Sequence, residues 1–158
     1  GVAESKYRDK IQIICAGAGP TQEHIEALAE KLGVRKPLIG FHDPEELNRI
    51  INYCDLYVHP ADIEIEAIAA LEAITCGLVP VINDSERSAT RFFARDERNL
   101  FDGTPEDLAK KIDYWVEHPE EKAAESKEYI EYGKRFELGH CIDKMEQMFE
   151  DVIKEKKR

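Results

Sequence analysis

Apolar runs of four to six residues alternate along this chain with longer stretches whose apolar positions recur at helical spacing. Strands and helices taking turns in this way are the sequence mark of a parallel βα sheet. IQIICA, at 11–16, reads as the first clear strand. GAGP then turns the chain, Thr21 stands as a helix cap, and Ile25, Leu28, Ala29 and Leu32 form one apolar stripe that Gly33 ends. PLIGF is the second strand. After it, Asp43 and Pro44 open a helix as cap and first residue, with Leu47, Ile50, Ile51 and Cys54 turned inward.

LYVHP is the third strand, closed by Pro60. The next helix holds Ile68, Leu71 and Glu72 and stops at Gly77, a residue suited to the left-handed position after a helix. VPVI is the fourth strand. The polar loop NDSERSAT leads to a short helix near Arg91 to Arg95, and RNLF reads as a short edge strand. Thr104 and Pro105 start a helix with Leu108, Ile112, Trp115 and Val116 on its buried face; from Pro119 onward the chain is helical, broken near Gly133 and Gly139. The expected fold is α/β, one doubly wound, Rossmann-like parallel sheet with a helical C-terminal segment, forming a single domain over 1–158.

Charge narrows the function classes. With 33 acidic against 22 basic side chains the net charge is −11, which argues against a nucleic-acid footprint, since phosphate binding draws on clustered Lys and Arg. Cys15, Cys54, Cys76 and Cys141 lie far apart without a CxxC pair, and the five histidines are scattered. No metal site is expected, and each cysteine reads as a small buried thiol in a reducing compartment. No apolar run nears the ~20 residues of a membrane span, and GVAESKYRDK lacks a signal-peptide core. The expectation is a soluble, cytosolic protein. The terminal KEKKR complements a helix dipole more readily than it makes a membrane-attracting patch.

EIEAIAALE, from Glu64 to Glu72, bounds a mostly apolar run with carboxylates. Glu64 falls after the third strand, where open parallel sheets bind ligands. Were the segment wholly helical, its two ends would stand ~12 Å and ~80° apart, so the carboxylates could not converge on one atom. Between them lies a helix N-terminus, at Glu66 to Ile68, whose free N–H groups suit a phosphate. A ligand with hydroxyls at both ends and a phosphate bridge between them fits: a nucleotide sugar. On spacing alone an alternative stands beside it, in which Glu64 and Glu66 only favour the helix dipole and Glu72 is a solvated helix residue.

LYVHPADIEIEAIAALEAITCGLVPVI resembles the EX7E region of retaining glycosyltransferases of the GT-B fold, and GAGP and GFHDPEELNRIINYCD resemble that family's two preceding segments in order and spacing. Nearly the whole chain is similar to the C-terminal, donor-binding half of such enzymes. With SATRFFARDERNLF, it most resembles bacterial sterol and lipid α-glucosyltransferases. The resemblance implies transfer of a hexose, glucose foremost, from a nucleoside diphosphate sugar such as UDP-glucose to a lipid or sterol hydroxyl, with retention and without a metal or other cofactor. It also implies an acceptor domain, membrane contact through the full-length enzyme, and a preceding strand whose Arg and Lys offset the diphosphate. The 158-residue chain alone should then fold, bind nucleotide weakly and transfer nothing.

By position, the resemblance gives Glu64 the donor-sugar hydroxyls, Glu72 the ribose, and the N–H groups of Ala67 and Ile68 the sugar and diphosphate. Main-chain groups of Phe41 and His42 would hold the base, Gly17 and Gly19 would let a loop pass close to the ligand, and Ser88 or Thr90 would line the same cleft as Glu64. Simpler roles are open to several of these: turn residues at Gly17, Gly19, Ser88 and Thr90, and ordinary loop histidines at His42 and His59. Two departures stand out. Ala67 replaces the family's usual Gly, which permits close approach to a phosphate only if that residue needs no positive φ. Glu66 replaces a common aromatic and adds a negative charge. Against the transferase stands a non-catalytic doubly wound module that binds a nucleotide or a protein partner.

Overall fold

Residues 1–156 are described by a computed structural model. Strands and helices alternate as the hydrophobic pattern demands: β1 (Ile14–Ala16), α1 (Gln22–Leu32), β2 (Leu38–Gly40), α2 (Pro44–Tyr53), β3 (Leu56–His59), α3 (Ile68–Thr75), β4 (Val79–Asn83), β5 (Leu100–Phe101), α4 (Pro105–Glu117), α5 (Pro119–Gly133) and α6 (Leu138–Lys156). Capping explains where several helices begin. Asp43 accepts from the Glu46 N–H at 2.8 Å and Thr104 Oγ1 from the Asp107 N–H at 3.2 Å, each followed by Pro at the first helical position. Thr21 sits at the cap of α1, but its hydroxyl makes no capping bond.

Every strand pairing is parallel, with Ile14 opposite Leu38, Leu56 opposite Val79 and Ile82 opposite Leu100. The hydrogen-bonded ladder comes in two pieces, β1–β2 and β3–β4–β5. This division decides what is buried. Ile74, Val79, Val81, Phe101, Trp115 and Tyr129 form the core, where α3, α4 and α5 pack around β4. Each such side chain contributes roughly 1.5–3 kcal/mol when fully buried. Under α1 there are only two strands, so of the expected stripe Ala29 alone is buried, while Ile25, Leu28 and Leu32 remain partly exposed.

Other local expectations shift. The turn after β4 is a 3-10 helix over Ala89–Phe93, not a helix at 91–95, because the Ser88 hydroxyl caps it by accepting from the Thr90 N–H. Val116 lies at the edge of the buried face of α4 and is partly exposed. The chain breaks at Lys134–Phe136, but Gly139 lies inside α6. Along α6, Leu138, Ile142, Met145, Phe149 and Val152 recur at three- and four-residue spacing, yet no residue of that helix is buried. Of KEKKR, the last two residues lie outside the described part. Among the described residues no helix is long and apolar enough to cross a membrane.

Two close approaches brace α3. A Cβ on Gly133 would come within 2.6 Å of Thr75 Cγ2 and 3.2 Å of Thr75 Cα, so α5 touches the end of α3 with nothing between. Gly77, at φ 86°, similarly lies under Ser126 and Ile130. At the other edge of the core the first residues clasp α4. The Ser5 hydroxyl donates to Asp113 Oδ1, and the Lys6 N–H donates to Asp113 Oδ2 at 3.2 Å.

Candidate functional site

The expected site residues gather at the carboxyl ends of the parallel strands. β3 ends at His59 and Pro60, and the chain crosses to the loop after β4 before starting α3. Asp62 anchors the crossing: Ser85 Oγ donates to its carbonyl at 2.7 Å and its carboxylate at 2.8 Å, and Arg87 pairs with it. Glu64 is then fixed by a parallel bridge to Ser88, with its N–H donating to Arg87 O at 3.3 Å and its carbonyl accepting from the Ala89 N–H at 2.9 Å. Two loops thus hold one glutamate by its backbone.

The Glu64 carboxylate turns back on its own loop. Oε1 accepts from the Ile65 N–H at 2.9 Å. That N–H, with those of Ala67 and Glu66 and with His59 nearby, holds its pKa below the usual carboxylate value. The group is an anion near neutral pH. Three residues on, Ala67 lies at φ 52° and ψ 46°, the one non-glycine with positive φ among the described residues. The condition for painless replacement of the family's Gly is therefore not met. The chain takes the left-handed turn regardless, since the buried Ala67 must reverse direction for Ile68 to begin α3. Ile68 is exposed, Glu66 is exposed, and Glu72 points into solvent one turn along, its carboxylate making no hydrogen bond or ion pair among the described residues.

Ser88 and Thr90 adjoin Glu64 but stand beneath it. Both are buried, and Ser88 Oγ is occupied by the Thr90 N–H. Thr90 Oγ1 lies 3.1 Å from His59 Nε2, His59 Nδ1 lies 2.9 Å from Tyr57 Oη, and Nε2 is 4.0 Å from Glu64 Oε2. Burial, with only 8% of His59 exposed, lowers its pKa, partly countered by Glu64. Burial, with Glu64 and Glu72 adding to it, pushes the Tyr57 phenol up to about 12. The sequence reading passes over Tyr57 and takes His59 for an ordinary loop histidine. Their signal was the two-residue alternation of LYVH, which puts them on one face of β3.

The glycine loop is a second cluster. A cavity of about 260 Å³ opens there, lined by Cys15, Gly17, Gly19, Gln22 and Ile39 among others. Gly17, at φ 155°, donates its N–H to Gly40 O at 2.7 Å, joining the ends of β1 and β2. Just beyond β2, Phe41 is 84% exposed and His42 Nδ1 lies 3.0 Å from Glu46 Oε2. Glu64, Ala67 and Glu72 do not line this cavity.

A parallel α/β sheet with a glycine loop, an open helix N-terminus, a carboxylate in the loop after β3 and an exposed one on α3 defines a doubly wound, Rossmann-like domain with a ligand side. This chain belongs to the group 1 glycosyl transferases, whose family profile matches residues 2–136. It is similar to the catalytic domain of cholesterol-α-glucosyltransferase from Helicobacter pylori, at 47% identity and a TM-score of 0.82 over 85% of each chain. It is 47% identical over 57 residues to the lipopolysaccharide glucosyltransferase WaaG of Escherichia coli K12, which is 36% of this chain and 15% of WaaG. The Anabaena protein HepE, solved in complex with UDP, shares the fold at 16% identity and a TM-score of 0.75, over 95% of this chain and 43% of HepE. The chain thus matches only part of the length of WaaG and of HepE.

Proposed function

We propose that this chain is the donor-binding half of a retaining hexosyltransferase that takes glucose from UDP-glucose and delivers it to a lipid or sterol hydroxyl. The observation that carries the reading is the Glu64–Ala67–Glu72 arrangement: an ionised carboxylate at the end of β3, an open helix N-terminus, and a free carboxylate one turn along α3. Its similarity to the Helicobacter pylori cholesterol-α-glucosyltransferase and to WaaG supports glucose and suggests a lipid-linked acceptor. UDP as the nucleotude carrier is supported by HepE, solved with UDP and glucose.

In this reading Glu64 leaves the Ile65 N–H to accept hydroxyls of the donor sugar, and the N–H groups freed around Ala67 and Ile68 face the diphosphate. Glu72 accepts from the ribose. Main-chain groups at Phe41 and His42 hold the base, and the Gly17–Gly19 loop passes over the ligand. The acceptor hydroxyl attacks the anomeric carbon from the face the diphosphate leaves, and the departing phosphate takes its proton. Positioning and fixed dipoles carry the rate, with no resident metal required.

The divided sheet suggests where the rest of the donor half belongs. A six-strand doubly wound sheet in the order 3-2-1-4-5-6, with its first strand removed, leaves a pair and a triplet. β2–β1 and β3–β4–β5 have that form, so we assign the strand bearing the diphosphate-neutralising Arg and Lys to the slot between β1 and β3. The test is calorimetry of this chain with UDP and UMP, followed by transfer assays of the full-length enzyme on sterol, diacylglycerol and ceramide. The chain should prefer UDP, weakly, in the millimolar range where net affinity is ~4 kcal/mol. No preference for the diphosphate, with no glucosylation of any acceptor, overturns the reading.

A further inference from the structure

β3 presents Tyr57 and His59 on one face, at the end of the strand that leads to Glu64. Both ring nitrogens of His59 are engaged within the protein: Nδ1 with Tyr57 Oη at 2.9 Å, Nε2 with Thr90 Oγ1 at 3.1 Å. Thr90 is fully buried and His59 nearly so, so the contact at Nε2 is shut off from water, while the one with Tyr57 is partly buried. Beside Nε2, at 4.0 Å, stands the Glu64 carboxylate. A histidine wired on both sides beneath a carboxylate is an orienting element of the kind that fixes a reacting group from behind.

We propose that His59 is a positioning residue for Glu64, held as the neutral Nε2–H tautomer so that its N–H faces Thr90 Oγ1 and the Glu64 carboxylate. Two observations select this tautomer. The Tyr57 hydroxyl makes no other hydrogen bond among the described residues, so donating to Nδ1 satisfies its proton. An N–H at Nε2 meets the Glu64 anion with the favourable sign, whereas a lone pair there would face a negative charge. Charged and titratable groups acting on this relay are Glu64 at the ring and Glu64 with Glu72 at the phenol.

The role rests on the donor reading, because what His59 aims is the group assigned to the sugar. It makes a selective prediction. Loss of His59 should weaken a sugar nucleotide and leave UDP, which Glu64 does not touch, unaffected. Gln at 59 can bring its amide N–H near the position of Nε2, whereas Asn reaches only to Nδ1. In His59→Asn the affinity ratio of UDP-glucose to UDP should fall about tenfold, and in His59→Gln most of it should be retained. Tyr57→Phe, a milder change, should mix the tautomers and give part of the same selective loss.

The ring itself is read by ¹⁵N–¹H correlation spectra of the wild-type protein, which report which nitrogen carries the proton whether or not a ligand binds. Nε2–H at pH 7, a selective loss in His59→Asn and its rescue in His59→Gln are expected. An Nδ1–H tautomer, or equal losses of UDP and UDP-glucose in both variants while circular dichroism stays native, overturns the proposal. Failure of the donor reading shows separately, as wild-type protein that binds neither ligand.

Discussion

At Ala67 a side chain sits where the backbone is left-handed, at φ 52°. That conformation costs an L-residue roughly 1–2 kcal/mol, and glycine would return roughly 0.5–1 kcal/mol of it as unfolded-chain entropy. Ala67→Gly should therefore stabilise the fold by up to ~1 kcal/mol in urea unfolding, measured against wild type. A loss of stability would mean that the methyl group, buried beside α3, contributes more by packing than the turn costs. Glu72 offers the complementary test. Its carboxylate has no partner among the described residues, so Glu72→Gln should leave stability within ~0.5 kcal/mol. The same change should weaken UDP about tenfold if a charged hydrogen bond to the ribose is lost. Glu66→Gln should leave UDP binding unchanged or slightly tighter.

Sequence spacing set Glu64 apart from Glu72 on the premise of a wholly helical segment, whereas α3 begins only at Ile68 and Glu64 lies in the loop before it. It could not foresee the inward turn of Glu64, which depends on N–H groups that exist only once the loop over 61–67 is clamped to the one after β4. Ser88 and Thr90 show the same limit. Hydroxyls in a polar loop look available, yet a cap bond and the His59 ring bury both. Burial of a polar group is a property of its partners, and these come from another strand.

Among the elements, α5 carries a charge whose environment has a measurable consequence. Glu125 is buried with Arg95 Nε 3.4 Å from its Oε1 and Arg98 Nη2 3.6 Å from its Oε2, but Oε1 accepts no hydrogen bond among the described residues. Burial raises its pKa above the ordinary 4.5 despite the two arginines. The folded chain thus holds this proton more tightly than the unfolded one. The resulting stabilisation is present below pH 4.5 and is lost as pH rises through the folded value. Glu125→Gln should match wild type at pH 4 and gain on it by pH 7, read as the difference in urea midpoints at the two values. Helices as a class were legible: Asp43–Pro44 and Thr104–Pro105 announce α2 and α4 by capping chemistry that is local to the sequence. Strand lengths were not. IQIICA and PLIGF give only three-residue pairs, because a ladder extends only as far as a neighbour runs beside it.

On the scale of the whole molecule, the two ladders divide the chain into a well-buried half around β4 and a thinner half carrying the glycine loop. Apolar residues of α1 and α6 are exposed. A longer chain that supplies the strand between β1 and β3 should slow amide exchange in both of those strands and tighten UDP without any change at Glu72. Unaltered exchange in β1 and β3 would remove the assignment of the slot. The parallel α/β class was readable from alternation alone; the break was not, since hydrophobic pattern records what each strand buries and not which strand lies next to it.

The contact of Gly133 with Thr75 carries a lesson for anyone collecting inactive alleles of this protein. α3 supplies both the turn at Ala67 and Glu72, and its far end rests on the bare backbone of α5. A bulky residue at 133 would displace that end, and the displacement would arrive at the opposite end as a tilted helix mouth. In a screen for lost transfer, changes at Gly133 should therefore score alongside changes at Glu64, although the two lie on different helices' approaches and share no ligand. Position on a list of inactive alleles would then report a lever arm rather than a chemical role.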